Sequence, residues 1–256
     1  MPGIRLVAFD LDDTLTPSKS PISPEMAGAL TDLLAATPVC IISGGRLGQF
    51  TAQVTDRLDL DDTARARLHL MPTCGTRYYR YEGDVLREVY ANDLTEAERT
   101  DATAAVESQA RRLGLWESEP WGPILEDRGS QITFSALGQQ APLDAKRLWD
   151  PTGEKKEQLR AAVAPLLPDL EVRSGGSTSI DITRAGIDKA YGMTRLSEHT
   201  GIDLEDMLFI GDRLDEGGND YPVKAMGVPC LAVDGAAETP AVVRRLLADL
   251  VPSTRR

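Results

Sequence analysis

Cysteine, histidine, aromatic side chains and positive charge are all scarce in this chain of 256 residues. Its three cysteines, Cys40, Cys74 and Cys230, are odd in number and far apart. That excludes a disulfide framework and suits buried thiols in a reducing cytoplasm. Two histidines, His69 and His199, cannot supply a His-rich metal site. Lys and Arg number 28 against 40 Asp and Glu, for a net charge of −12. Such a chain lacks the field that draws nucleic acid or an anionic membrane surface. No uncharged stretch reaches the roughly 18 apolar residues that span a bilayer. The start, Met-Pro-Gly-Ile-Arg, has no basic segment followed by an apolar run, so no secretory signal is expected. Hydrophobic residues make up 41%, too many for a disordered chain. At about 150 residues per domain, the length suggests two domains or one domain with a large insertion. The expectation is a soluble cytoplasmic globular protein.

The apolar runs set the fold class. Ile4-Arg5-Leu6-Val7-Ala8-Phe9 is almost continuously apolar, as suits a strand covered on both faces. Ser23-Pro24 places a capping hydroxyl before a helix-starting proline. Pro38–Ser43 is the next strand, broken by Gly44-Gly45 before another helical stretch. This is the βαβ rhythm of a doubly wound parallel sheet. It returns near the end in Leu208–Asp212 and Val228–Val233, with Thr239-Pro240 starting a last helix. Between them, Thr95-Glu-Ala-Glu98 is a capping box on a polar helix. Gln131–Leu137 and Ser177–Thr183 alternate as half-exposed antiparallel strands do. The predicted architecture is an α/β core, residues 1–90 with 185–256, carrying an inserted α+β domain over 91–184.

Four short stretches carry chemistry. Asp10 and Asp12 follow the first strand, where open α/β sheets bind ligands and where the chain's bend lets two carboxylates converge. Crowded carboxylates favour a divalent cation or raise one pKa. Ser43-Gly44-Gly45 offers a hydroxyl and then backbone amides at a helix start, which suits an anion. Lys189 opens a helix, where a phosphate-binding cation would serve. Asp212 and Gly217-Gly218-Asn219-Asp220 follow a third strand with further metal-suited oxygens. Each stretch alone reads almost as well as an acidic turn or a surface lysine. A solvated surface explains poorly the whole set in this order at strand ends and helix starts.

That order resembles the haloacid dehalogenase superfamily of phosphotransferases. Asp10 and Asp12 match its first motif, Ser43 its second, Lys189 its third, and Asp212 with Asn219-Asp220 its fourth. The insertion between the second and third motifs matches its type II cap. Within the superfamily, three stretches are similar to the eukaryotic-type phosphomannomutases: Glu126-Asp127-Arg128, Gly175-Gly176 through Ser179 and Asp181, and Gly211 through Asp220. The sequence departs from that pattern at four positions. Gln139 and Lys146 stand where those mutases have further cap arginines, Ser43 where they have glycine, and Asp13 likewise.

The resemblance implies a mechanism. Asp10 would be the nucleophile forming an aspartyl phosphate, and Asp12 the acid and then the base. Mg²⁺ would be held by Asp10, the backbone carbonyl of Asp12 and Asp212, and Lys189, Ser43 and the Gly44 amide would complete the oxyanion clamp. In the cap, Arg128 with Lys146 could hold a distal phosphate. Ser179 and Asp181 would contact sugar hydroxyls, and Asn219 and Asp220 would also touch substrate. Trp116, Trp121 and Trp149 read as cap packing.

The implied function is phosphatase-type transfer on a hexose phosphate, a small molecule, with no nucleic acid or membrane partner and a homodimer left open. The alternative is a phosphomannomutase-type isomerase, which must hold a bisphosphate intermediate and so needs a second cation site. A receiver-type phospho-acceptor domain would share the acidic pocket and the lysine. It has no use for a general acid at Asp12 or for a cap.

Overall fold

The computed structural model describes residues 3–250; Met1 and Pro2, from the start read as lacking a secretory signal, lie outside the described residues. The chain divides into two compact units, one from the described residues up to Ala91 and from Asp188 on, the other Asn92–Ile187. In the first run the elements are β1 (Leu6–Phe9), α1 (Pro24–Ala36), β2 (Val39–Ile42), α2 (Leu47–Gln53), α3 (Asp62–Ala66), β3 (Leu68–Met71), β4 (Arg77–Glu82) and β5 (Val85–Ala91). The second unit has α4 (Glu96–Arg112), β6 (Leu125–Asp127), β7 (Ile132–Ser135), α5 (Leu143–Trp149), α6 (Glu154–Val163), β8 (Leu170–Ser174) and β9 (Ser179–Arg184). The first unit then resumes with α7 (Lys189–Thr200), β10 (Met207–Gly211), α8 (Tyr221–Ala225), β11 (Cys230–Ala232) and α9 (Thr239–Leu250).

The first unit is a seven-stranded sheet in the order β11-β10-β1-β2-β3-β4-β5. Strands β11 to β3 are parallel, and β4 and β5 are antiparallel additions. Its two faces are sorted by alternation along each strand. Val7, Phe9, Val39, Ile41, Leu208 and Ile210 pack with α1 and α9 through Met26, Leu33, Val242 and Leu246. Leu6, Ala8, Cys40, Ile42, Met207 and Phe209 pack against Met193 and Leu196 of α7 and Val223 of α8. With both faces buried, an ionised side chain inside a strand would lie unpaired in apolar surroundings, so charge gathers where strands end. α1 begins as its sequence implies, with the Ser23 hydroxyl accepting from the Met26 N–H at 3.1 Å.

Sequence periodicity does not announce β3, β4 and β5. Arg77–Glu82 and Val85–Ala91 carry charges through their length, and β5 lies at the sheet edge with exposed positions. Antiparallel pairing forms β4 and β5, with Tyr78 and Tyr79 of β4 turned into the cores on the two faces. The thiols also need correcting: only Cys40 is buried, Cys74 and Cys230 are half-buried, and none of the three is in a disulfide. Among the described residues, no helix is long and apolar enough to cross a membrane.

The second unit is a four-stranded antiparallel sheet, β6-β7-β9-β8. Ile132, Phe134, Ile180 and Ile182 line one face and pack with Val106 of α4 and Leu159 and Val163 of α6. Trp116 tilts against Phe134, and Trp149 packs at the edge of the same core. Trp121 does not join it and is 45% exposed.

α4 opens on the capping box seen in the sequence. The Thr95 N–H donates to Glu98 at 2.6 Å, and the Glu98 N–H returns to the Thr95 hydroxyl at 3.2 Å. Arg184 of β9 adds two bonds to the same carboxylate, at 3.2 and 3.0 Å. Arg184 first, and then the Thr95 N–H, hold Glu98 down at about 2. A carboxyl depressed on folding stabilises above its unfolded value of about 4.3, and that contribution is lost as pH falls through the folded value. Glu98→Gln should therefore cost about 0.5–1 kcal/mol at neutral pH. The gap to wild type should close as pH falls from the ordinary carboxylate range toward about 2. Denaturant curves followed by tryptophan fluorescence report this unit, because the chain's three tryptophans all lie within it. A gap that stays constant across that range would show that the ionised carboxylate is not what the helix uses.

Candidate active site

Three parallel neighbours, β10, β1 and β2, end side by side and are followed by Asp212, Asp10 and Ser43. The Asp10 N–H still donates to the Ile210 carbonyl at 3.0 Å, so its carboxyl is fixed by the last rung of the sheet. Asp10 is 3% exposed and Lys189 2%. The Lys189 ammonium donates to Asp10 at 2.5 Å and to Asp220 at 2.5 Å. Asp188 supplies the N-cap of the lysine's helix, accepting from the Tyr191 N–H at 3.0 Å. Burial alone would push Lys189 down, but Asp10 and Asp220 outweigh it and hold the ammonium above its ordinary value. Burial pushes the Asp10 carboxyl up, against the pull of Lys189, and Asp220 adds to the rise. Asp212 is half-buried, and burial followed by the charge of Asp220 raises it as well.

Asp10, Asp212 and Asp220 bring carboxylate oxygens within 4.8 Å of one another. Three carboxylates against one ammonium leave a formal surplus of two negative charges, and this donor set of hard oxygens fits a divalent cation such as Mg²⁺. Thr14 stands between two of them: its hydroxyl lies 3.2 Å from Asp212 and 3.5 Å from Asp10. Its carbonyl accepts from the Thr239 hydroxyl at 2.6 Å, which ties this loop to the start of α9.

Asp12 is placed differently from Asp10. Leu11 between them is fully buried and its carbonyl accepts from Leu15 and Thr16, so the chain turns at once. The Asp12 carboxylate accepts from the Lys19 N–H at 2.9 Å and is not part of the close carboxylate group. The turn, rather than continued strand geometry, decides this. Ser43 is buried and its hydroxyl accepts from the Gly45 N–H at 3.1 Å, beside half-buried Gly44. Of the glycine-rich loop, Asn219 is exposed while Asp220 is fully buried. Expected among the substrate contacts, Asp220 instead spends its oxygens on Lys189 and on the Arg213 N–H at 3.1 Å. Gly211 is required here, because a Cβ would run into the Asp220 carboxylate.

Arg128, Lys146, Ser179 and Asp181 lie in the other unit. The β7–β9 register sets Thr133 opposite Asp181 and Ser135 opposite Ser179. Thr133 donates to Asp181 at 2.7 Å, and Gln131 donates to Thr133 at 2.9 Å. Burial pushes the half-buried Asp181 carboxyl up, against Arg128 and these hydroxyl and amide donors. A Cβ on Gly175 would stand 2.7 Å from the Ser179 hydroxyl and 2.8 Å from Asp181, so glycine keeps the backbone close to both. Arg128 is bound through Nε and Nη2 to Glu126, at 2.7 and 2.6 Å. Lys146 donates to the Gln139 carbonyl at 3.3 Å. Thr14, Thr133, Gln131 and the role of Glu126 were not singled out from sequence. Thr14 lies one helical spacing from Asp10, and Gln131, Thr133 and Ser135 share the polar phase of their strand, so both signals were present.

A family model for haloacid dehalogenase-like hydrolases matches residues 142–223. The chain is 25% identical to phosphomannomutase 1 of Homo sapiens over 226 residues, 86% of this chain and 83% of that protein. It is 27% identical to the phosphomannomutase of Saccharomyces cerevisiae over 228 residues, 85% of this chain and 84% of that one. A solved haloacid dehalogenase-like hydrolase from Bacteroides thetaiotaomicron has the same fold, with a TM-score of 0.65 at 16% identity, covering 95% of this chain and 99% of that one. The chain is similar to haloacid dehalogenase-like hydrolases in sequence and in fold and is an enzyme. Its sequence similarity runs to phosphomannomutases along most of its length.

The ion-pair geometry yields a stability test. Removing the ammonium leaves two buried carboxylates facing each other, so Lys189→Met should cost about 3–5 kcal/mol in the metal-free protein. Denaturant unfolding in chelator measures this, and a loss under about 1 kcal/mol would mean the pair is solvated.

Proposed function

We propose that the protein is a Mg²⁺-dependent phosphotransferase that passes a phosphoryl group through Asp10 to water, acting as a phosphatase on a hexose phosphate. The observation that carries this reading is the Lys189 ammonium set 2.5 Å from a buried carboxylate at the end of β1, with two further carboxylates beside it. Asp10, Asp212 and Asp220 would hold the cation. Bound Mg²⁺ would neutralise phosphoryl oxygens and keep Asp10 ionised.

The chain's own groups do the rest. An Asp10 oxygen attacks phosphorus as the bond to the sugar oxygen breaks, and Asp12 gives that oxygen its proton. Lys189 balances the phosphoryl charge, while the Ser43 hydroxyl and the Gly44 amide donate to its oxygens. In the second half Asp12 takes a proton from water, and the hydroxide oxygen displaces Asp10 from phosphorus. Orthophosphate leaves and both carboxyls are restored.

A second reading, the mutase, is favoured by the names of the relatives the chain is similar to. It requires a sugar hydroxyl instead of water as the final acceptor and a cation site for a second phosphate. Three residues support the phosphatase instead. Ser43 stands where those mutases carry glycine, and Gln139 and Lys146 replace cap arginines and bond to each other. Arg128, which matches the third of those cap arginines, is already paired with Glu126.

A panel of hexose 1- and 6-phosphates with Mg²⁺, followed separately for released phosphate and for isomerised sugar, decides between them. Phosphate release without isomerisation is expected, even with a hexose bisphosphate primer. Isomerised sugar with little phosphate would establish the mutase. Asp10→Asn should lower turnover at least ~10³-fold while leaving the fold intact, because the amide is a poor nucleophile of the same shape. Wild-type turnover in that variant, or full activity in excess chelator, would rule the mechanism out.

A further inference from the structure

Between β3 and β4 the chain makes a turn to which nothing above assigns a role. Thr73 and Cys74 both sit in the left-handed region, at φ of 49° and 55°. Side chains rarely adopt that conformation, and β-branched Thr73 least readily. Two backbone bonds tie the turn to the loop after β2: the Thr73 N–H donates to the Gly45 carbonyl at 3.0 Å, and the Cys74 N–H to the Ser43 carbonyl at 2.9 Å. Its other side meets the helix that carries Lys189. A Cβ on Gly75 would stand 2.5 Å from the Gly192 Cα, and one on Gly192 would stand 2.8 Å from the Cys74 carbonyl oxygen. The turn is also braced internally. The Thr73 and Thr76 hydroxyls lie 2.6 Å apart, and the Tyr90 hydroxyl donates to the Gly75 carbonyl at 2.6 Å.

We propose that Cys74, through the left-handed backbone of this turn, is a positioning residue that sets the spacing between the Ser43–Gly45 loop and Lys189. The proposal rests on the phosphotransfer reading of those residues. Ser43 and Gly44 come from the end of β2 and Lys189 from the start of α7, elements with no chain connection of their own. The turn's backbone is wedged between them, beside the Ile42 side chain that packs on the same helix. Its contact with Gly192, three residues along the helix from Lys189, is backbone against backbone, so a shift on one side is passed to the other. Relaxing Cys74 to an ordinary φ would swing its N–H away from Ser43 and its carbonyl away from Gly192 together.

Two variants at one position test this. Valine resists the left-handed region and asparagine adopts it readily. Wild-type turnover on the sugar-phosphate panel is measured first, and its absence would sink the phosphotransfer reading and the turn's role with it. With turnover established, Cys74→Val should lower kcat ~10- to 100-fold. Inhibition by inorganic phosphate should weaken in parallel, while the Mg²⁺ concentration for half-activation stays put, since the turn's backbone bonds run to Ser43 and Gly45. Cys74→Asn should restore most of the activity. A folded Val variant with wild-type kcat and phosphate inhibition would overturn the proposal. So would an Asn variant as impaired as Val, which would make the thiol the cause. If Cys74→Val does not fold, Thr76→Val removes the hydroxyl brace without adding bulk and carries the same expectation. A turn that merely stabilises would lower Tm and leave kcat per folded molecule unchanged.

Discussion

The buried ammonium of Lys189 is the constraint around which the first unit is arranged. It lies between Asp10 and Asp220, 2.5 Å from each, and almost out of reach of water. At an effective dielectric of about 20, opposite unit charges about 4 Å apart attract by about 4 kcal/mol, and the ammonium keeps such an attraction to both carboxyl groups only while the three stay together. Neighbouring choices follow from keeping them together. Gly211 leaves room for the Asp220 carboxylate, the Arg213 N–H takes its second oxygen, and Asp188 caps the helix on which the lysine stands. The lysine balances only part of the carboxylate charge. With Asp212 nearby, the surplus makes a cation site the natural completion, in a protein whose net charge of −12 would otherwise turn a phosphate away.

This concentration of charge depends on the sheet. Because β1, β2 and β10 alternate large apolar residues onto both faces, each buried side chain is worth about 1.5–3 kcal/mol and the register cannot slip. Polar side chains are thereby confined to the positions just beyond Phe9, Ile42 and Gly211, where three strand ends converge. The same sheet that excludes charge from its interior gathers it at one edge.

The second unit solves a different problem. Its antiparallel sheet needs only one apolar face, so the other phase of β7 and β9 is available for Thr133, Ser135, Ser179 and Asp181. Hydroxyl and amide donors settle the Asp181 carboxylate there, and Glu126 settles Arg128. Both charged groups thus have protein partners already. Any ligand that engages them must replace those bonds rather than find bare charge, which favours neutral hydroxyls over a second phosphate dianion.

The sequence by itself determined the layered α/β core, the position of Asp10, Ser43 and Asp212 at strand ends, and the helix starts at Ser23 and Thr95. In each case the determining physics is local: an apolar run of strand length, a capping hydroxyl, a glycine after a strand. It determined the alternation of β7 and β9 as well, because a sheet with one apolar face writes a period of two into its strands. Tertiary structure alone decided which carboxylates meet. Asp12 is two residues from Asp10 yet turns to the Lys19 N–H, whereas Asp220 is 210 residues away and shares its lysine. It alone decided that the charged segments Arg77–Glu82 and Val85–Ala91 are strands, since their pairing partners rather than their own pattern stabilise them. The left-handed turn at Thr73 and Cys74 was equally invisible. Neither Thr73 nor Cys74 favours such a backbone; the packing of Gly75 on Gly192, the bonds to Ser43 and Gly45, and the Thr76 and Tyr90 hydroxyls impose it.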